Sequence, residues 1–191
     1  MTATVAPIAA LLFSVALLLM GNGLQGTLLP VRANIEAFSQ LDIGVMGSVY
    51  FLGFAIGCYF GPYLVRRVGH IRVFTAMVAI ASSVVLGHSL IIESTTWWIM
   101  RGLTGMCFAV LYLVIESWLN AKATNQNRGL IFSIYTIINL TVITVGQMLL
   151  ITDSPQAFTL FALASVLISL AAVPVALTTA PAPPPVATVK I

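Results

Sequence analysis

One long apolar stretch of the sequence, the fourth along the chain, contains both an arginine and a glutamate. Arg101, Gly105 and Tyr112 follow helical spacing and share one face, and Glu116 lies about 60° round the helix from Arg101. Fifteen residues at a rise of 1.5 Å place the two charges about 22 Å apart, so they cannot pair with each other. Because charges in hydrocarbon need a partner or water, we expect each to bind a ligand, a proton or a group on another helix.

Each of the two charges has two interpretations. Arg101 lies about one turn inside the stretch, where it either binds a buried group or extends its guanidinium to the interface. Glu116 lies near the other end, where it either pairs with Arg66, Arg67 or Lys122 or titrates as a proton-coupling carboxylate.

Amide side chains provide a second set of candidates. Asn22 and Gln25 are three residues apart, hence on one helical face, within a glycine-rich run of the first stretch. They either line a cavity or bond across to a neighbouring helix. Tyr112 and, in the fifth stretch, Asn139 are further candidates for lining a cavity.

Glycines at a spacing of four point to close helix packing. Gly53, Gly57 and Gly61 form one stripe on the second stretch, and small residues at this spacing let two helix backbones meet. We therefore assign Gly53, Gly57 and Gly105 to helix packing.

Nothing in the sequence suggests a catalytic, metal or cofactor site. Cys58 and Cys107 lie in the middle of apolar stretches, where we expect packing roles rather than a disulfide. His88 is typical of a residue at the membrane interface. Ser89 is its neighbour, so the two side chains point about 100° apart on a helix and do not form a nucleophile–base pair.

Composition places these candidates in a membrane. Of the 191 residues 60% are hydrophobic and 7% charged, and the net charge is +3, whereas soluble domains average about 45–50% apolar and about 25% charged residues. This excludes soluble enzymes and disordered regulators. The eight basic residues are scattered and form no stripe, which excludes a nucleic-acid partner.

Six stretches are long enough to cross a bilayer as helices, which takes about 20 apolar residues. We therefore predict an all-α, polytopic membrane protein, with a six-helix domain over residues 1–178 and a cytoplasmic linker rich in proline and alanine over 179–191. The stretches cover residues of about 6–30, 43–65, 73–92, 97–119, 129–152 and 156–178.

Basic residues predict the orientation, because loops on the cytoplasmic side carry an excess of lysine and arginine. We expect both termini in the cytoplasm. Trp97 and Trp98 then lie at the outer interface, as an aromatic belt does. The basic residues of the cytoplasmic side are Arg66, Arg67, Arg72, Lys122, Arg128 and Lys190.

The connection after the second stretch resembles the loop signature G-x-x-x-D-R-x-G-R-K of the major facilitator superfamily, whose loop is a gating motif. Anchored on Gly69, Arg67 matches the arginine of the signature and Arg72 keeps a nearby base. Gly61 stands one place early, and Arg66 occupies the position of the acid. The resemblance then leaves the charge relay of that acid to Glu116 or another carboxylate.

The fourth stretch resembles the same family's R-x-x-x-G-x-G pattern through Arg101 and Gly105, with Cys107 in place of the last glycine. Three further segments, residues 21–30, 116–120 and 123–129, resemble a YcaD-like bacterial subgroup of unassigned substrate.

This resemblance implies the N-terminal half of a twelve-helix secondary transporter in the bacterial cytoplasmic (inner) membrane. Each half consists of two inverted three-helix units, and the solute binds between the halves near the midplane. The first and fourth helices line that cavity, which agrees with Asn22, Gln25 and Arg101 as the unusual polar residues. The expected partners are a small-molecule solute, with or without a proton, and the lipid bilayer.

Alternatives remain at this level. The linker ends where the family's central loop begins, so we expect either a missing C-terminal half or a natural six-helix half-transporter that acts as a dimer. The sequence lacks the G-x-S-G nucleophile that an intramembrane serine protease needs. It also lacks the N-P-A and carbonyl-filter signatures of channels. The residues identify neither the solute, nor the coupling ion, nor the direction of transport.

Overall fold

A computed structural model describes residues 8–177, which fold as a bundle of helices. Six segments of the described residues are long and apolar enough to cross a membrane, so the predicted six-helix membrane fold is confirmed. The predicted linker, residues 179–191, lies outside the described residues. The helices are α1 (Ala9–Ile35), α2 (Gln40–Val68), α3 (His70–Leu90), α4 (Ser94–Lys122), α5 (Arg128–Met148, extended by a 3-10 turn over Leu149–Thr152), α6 (Phe158–Leu170) and a short α7 (Ala172–Ala176).

The packing of the helices follows a two-fold pattern. Helix α4 packs mainly against α2 and α3, α1 packs mainly against α5 and α6, and α3 also packs against α6. Exchanging α1, α2 and α3 for α4, α5 and α6 leaves this set of contacts unchanged. Such a pattern is that of two related three-helix units. Helix α1 barely touches α2, and α4 barely touches α5.

Helices α2 and α4 approach each other so closely that their contact excludes side chains. A Cβ atom added at Gly53 would collide with the Gly102 carbonyl oxygen, and one added at Gly105 would collide with the Tyr50 carbonyl oxygen. One added at Gly57 would lie 2.7 Å from the Ala109 Cβ. The glycines therefore set the distance between the two helices.

The pair formed by α1 and α5 uses the same device. A Cβ atom at Gly23 of α1 would collide with the Ile143 carbonyl oxygen, and one at Gly146 of α5 would collide with the Met20 carbonyl oxygen. The two helix pairs that the exchange relates, α2 with α4 and α1 with α5, thus both have backbones that touch through glycine.

Hydrogen bonds from Arg32 link the end of α1 to the connection between α5 and α6. Its Nε donates to Glu36 at 2.7 Å, and its Nη1 donates to the carbonyl oxygens of Pro155 and Gln156 at 3.2 and 2.5 Å. The helix continues through Pro30 to Ile35, past the predicted end of the first apolar stretch at about residue 30. Buried bonds from Arg32 stabilise these extra turns.

Side-chain caps fix where α2 and α4 begin. Ser39 and Asp42 form a capping box, in which each side chain accepts a hydrogen bond from the other's backbone amide. At α4 the Glu93 carboxylate accepts hydrogen bonds from the amides of Thr96 and Thr95, at 2.6 and 3.0 Å. Hydrogen bonding lowers the pKa of Glu93 to about 2, and the bonds with Thr96 have the largest effect.

Trp97 does not form the predicted aromatic belt. Its side chain is completely buried, with its ring 5.1 Å from Phe38 and 5.4 Å from His88, and its indole N–H donates to the Ile91 carbonyl oxygen at 2.8 Å. His88 is likewise buried rather than interfacial. Trp98 is half-buried and donates to the carbonyl oxygen of Asp42 at 3.0 Å. The two indoles therefore bond to the connection before α4 and to the first turn of α2, at one end of the bundle.

Gly53→Ala should lower the free energy of unfolding by about 1–3 kcal/mol, because the added methyl group forces α2 away from the backbone of α4. Gly47→Ala is the matched control on the same helix, since a Cβ at Gly47 meets nothing within 4 Å. It should raise the stability by about 0.5–1 kcal/mol. Thermal unfolding in detergent, followed by tryptophan fluorescence, measures both, and equal melting temperatures would contradict the close contact.

Glu93→Gln should lower the melting temperature at pH 6, because glutamine keeps the shape of the side chain but removes its charge. The pKa of Glu93 is depressed on folding, so its contribution is fully present above the ordinary value of 4.5 and is lost as the pH falls through about 2. The difference between the two proteins should therefore shrink between pH 4.5 and pH 2. A difference that does not change over that range would show that the charge of Glu93 contributes nothing.

Candidate functional site

Arg101 lies inside the bundle with its guanidinium over an aromatic ring of α2. The Cζ atom is 4.4 Å from the centroid of the Tyr50 ring, a distance typical of a cation–π contact. The side chain is half-buried, and among the described residues its buried Nη1 has no hydrogen-bond partner. This geometry favours the interior interpretation over extension of the guanidinium to the interface.

A series of aromatic rings leads away from Arg101 along the contact between α2 and α4. The centroid of the Tyr50 ring is 6.4 Å from that of Phe54, and the Phe54 centroid is 6.2 Å from that of Tyr112. Tyr50 and Phe54 are one turn apart on α2, next to the glycine stripe, so the close packing of the helices holds the rings against α4.

Beyond these rings a cleft of about 420 Å³ opens between α2 and α4, which we name the Glu116 cleft. A second cleft of about 350 Å³ adjoins it and shares Glu116 and Leu113 while adding Phe132 of α5. Glu116 thus stands where α2, α4 and α5 meet. The residues that line the Glu116 cleft are Phe54, Cys58, Ala109, Tyr112, Leu113 and Glu116.

The carboxylate of Glu116 has no partner among residues 8–177. The single ion pair in this part of the chain joins Arg32 to Glu36, and no hydrogen bond reaches Glu116. Arg66, Arg67 and Lys122 therefore do not pair with it, which leaves the interfacial ion-pair interpretation without a partner. The side chain is exposed on the open side of the bundle.

The basic residues of the predicted gating motif lie at the surface. Arg66, Arg67 and Arg72 are exposed, and Arg67 donates to the Tyr63 hydroxyl at 3.3 Å. At the start of the motif Gly61 is buried, where an added Cβ would lie 3.0 Å from the Leu113 side chain.

Gly69 and His70 connect this motif to α4. Gly69 ends α2 with φ of +94°, a backbone conformation that other residues rarely adopt. His70 is buried, and its Nε2 lies 3.1 Å from the hydroxyl of Ser117, which follows Glu116 directly. The turn between α2 and α3 is thus tied to the end of α4 that carries the carboxylate.

The three amide residues that the sequence predicted to line a cavity do not line the Glu116 cleft. Gln25 is completely buried, and neither polar atom of its amide has a hydrogen-bond partner among the described residues. Asn22 is half-buried. Asn139 lies one turn from Tyr135 on α5, and its Oδ1 and the Tyr135 hydroxyl are also buried without partners in that part of the chain. A cavity-lining role for Asn22, Gln25 and Asn139 stays a prediction.

Sequence reasoning missed the α2 wall of the site. Tyr50, Phe54 and Cys58 follow one another at a spacing of four, and each stands beside the glycine stripe. That spacing was available as a signal, but it does not identify the helix on which the residues pack. Cys58 is exposed and lines the cleft, so the expected packing role in an apolar span holds only for the buried Cys107.

The arrangement suits binding of a small solute and holding of a proton or cation. In the described part of the chain no group of three or more histidine, cysteine, aspartate or glutamate residues could hold a metal ion. His88 and Ser89 bond to the carbonyl oxygens of Val84 and Leu86 on their own helix rather than to each other.

Two comparisons with known proteins identify the same family. The sequence model of the Major Facilitator Superfamily matches residues 11–190. The chain is 29% identical over 143 residues to proteins titled "Uncharacterized MFS-type transporter YcaD" from Escherichia coli strains K12 / DH10B and O157:H7. The match covers 75% of this chain but 37% of each relative, so the chain matches little more than a third of the length of these proteins. No solved structure matches the chain.

Tyr50→Leu should lower the free energy of unfolding by about 0.5–2 kcal/mol, since it removes the ring beneath the Arg101 guanidinium. Tyr50→Phe keeps the ring and should lose much less. A double-mutant cycle with Arg101→Met separates the contact between the two side chains from their other interactions. The cation–π contact would be refuted if the cycle gave no coupling or if the Phe and Leu variants were equally unstable.

Proposed function

The chain belongs to the major facilitator superfamily, and we propose that it forms the N-terminal half of a secondary transporter that moves a small solute by alternating access. Family membership and the six apolar helices make it a multi-pass membrane protein of a transporter family, and this family points to a transporter rather than to an enzyme. The bacterial cytoplasmic membrane, with both termini in the cytoplasm, is part of the proposal.

The observation that carries this proposal is the unpartnered carboxylate of Glu116. It is the one charged group that lines the cleft between α2 and α4, and no basic side chain of residues 8–177 neutralises it. An ionised carboxylate enclosed by apolar groups is costly, so closure of the cleft requires a proton or a cationic group on Glu116. A carboxylate with this requirement couples the uptake of an ion or solute to a change of conformation.

Arg101 has a different role in the proposed mechanism. Its guanidinium is stabilised by the face of the Tyr50 ring, and Arg101 lies on the same face of α4 as Tyr112. It keeps a buried donor unpaired at Nη1, which a polar group of the solute or of a facing helix satisfies during the cycle. When the cleft closes against a second six-helix unit, Nη1 exchanges a polar group of the solute for one of the facing helix, or the reverse.

The second unit lies against α2 and α5 in this proposal. These are the two least buried of the six spanning helices. Their exposed side chains include Phe51 and Leu52 on α2 and Ile137 and Leu140 on α5. The partner is either the C-terminal half that the longer relatives possess or a second copy of this chain.

Glu116→Gln should abolish accumulation of the solute against its gradient, because glutamine neither binds nor releases a proton. Exchange of labelled for unlabelled solute should continue. The chain is expressed from its natural locus, together with any coding sequence that follows. Transported solutes are identified by comparing the metabolite uptake of this strain with that of a strain from which the gene is deleted. Asp153→Asn, in the connection before α6, is the control and should transport normally.

Arg101→Ala should stop both accumulation and exchange without reducing the amount of folded protein in the membrane. Wild-type accumulation in Glu116→Gln, or wild-type exchange in Arg101→Ala, would remove the corresponding residue from the mechanism. Wild-type transport in both variants would overturn the proposed site.

A further inference from the structure

We propose that the Glu116 cleft binds a lipophilic organic cation, that is, a molecule with one positive charge carried among aromatic or aliphatic groups. The inference rests on the proposed function, since it takes the cleft as the solute site and names the class of solute. It follows from the charge, the lining and the size of the cleft.

The charge of the lining has one sign. Of the six side chains around the cleft, Glu116 alone is charged, and Ala109 and Leu113 are wholly apolar. A positive charge therefore gains a partner on entering, whereas an anion meets repulsion in a medium that screens charge poorly. A polar neutral solute finds few hydrogen-bonding groups beyond the Tyr112 hydroxyl.

The basic side chains of α2, α3 and α4 do not line the cleft. The Arg101 guanidinium lies over Tyr50, and His70 bonds to Ser117. Arg66 and Arg67 are exposed at the end of α2 and do not line the cleft. No cation of the described residues therefore competes for the Glu116 carboxylate.

The aromatic lining matches a cation more closely than it matches an aliphatic solute. The Phe54 and Tyr112 rings face the same cleft, with centroids 6.2 Å apart and planes inclined at 54°. The faces of two inclined rings attract a positive charge, and this attraction grows when water is excluded. The rings therefore add to the field of Glu116 at the same place.

The size of the cleft agrees with an organic cation rather than a metal ion. Its volume of about 420 Å³ falls within the roughly 300–1,000 Å³ typical of small-molecule sites. The adjoining cleft, which Glu116 and Leu113 also line, gives space for further apolar substituents against Phe132.

Cys58 provides a native probe of this site. It is exposed and lines the cleft, whereas the other cysteine, Cys107, is buried. The full chain in detergent is labelled with N-ethylmaleimide in the presence of tetraphenylphosphonium or tetraphenylborate, two ions of similar shape and opposite charge. Tetraphenylphosphonium should slow labelling about tenfold, and tetraphenylborate should leave the rate unchanged.

In Glu116→Gln the protection by tetraphenylphosphonium, measured as the ratio of the labelling rates without and with the ion, should fall to the level of tetraphenylborate. Phe54→Leu should weaken protection with Glu116 intact, which tests the site if the first variant does not fold. Cys58→Ser confirms the labelled residue, and Asp153→Asn should keep full protection.

Equal protection by the two ions, or protection that survives in Glu116→Gln, would overturn the assignment of a cation. The labelling measures binding and needs no transport. If protection is found but both Glu116→Gln and Arg101→Ala transport normally, the assignment of a cation stands and the proposed function fails. If transport depends on Glu116 but tetraphenylphosphonium gives no protection, the inference fails alone.

Discussion

The contact between the backbones of α2 and α4 determines where the charged residues of this protein lie. Gly53, Gly57 and Gly105 leave no space for a Cβ between the two helices, so that the helices pack by main-chain contact. In hydrocarbon no hydrophobic force drives helices together, and this close approach replaces it with dispersion contacts. The same contact brings Tyr50 under the Arg101 guanidinium and presses Phe54 toward Tyr112. The packing of small residues thereby produces the wall of the cleft.

Three charged residues of the described chain differ in how the bundle satisfies them. Arg32 bonds through Nε and Nη1 and joins the end of α1 to the connection before α6, so it acts as part of the framework. Arg101 is satisfied in part by an aromatic face. Glu116 has no partner among residues 8–177. An uncompensated charge costs free energy in an apolar protein. A charged residue without a partner on the wall of a cleft is therefore the strongest candidate for binding a solute or a proton.

The fold was largely predictable because apolar length alone identifies helices in a membrane. All six helices were expected, although five of the predicted stretches were shorter than the helices at one or both ends. Hydropathy detects the apolar middle of a helix, whereas hydrogen bonds at its ends fix its limits. The bonds of Arg32, the capping box of Ser39 and the cap at Glu93 extend α1, α2 and α4 beyond those stretches. The expected belt at Trp97 was wrong because the indole bonds to a connection inside the bundle instead of reaching the interface.

By itself the sequence determined that the chain spans a membrane six times and which residues share a face of one helix, because apolar length and the helical period are local properties. It also singled out Arg101 and Glu116, since charges are rare in such a chain. Only the tertiary structure decided that Arg101 lies on Tyr50, that Glu116 has no partner in the described chain, and that Gln25 is completely buried. These facts depend on which helices touch and at what level, and residues fifty positions apart along the chain carry no local signal of that contact.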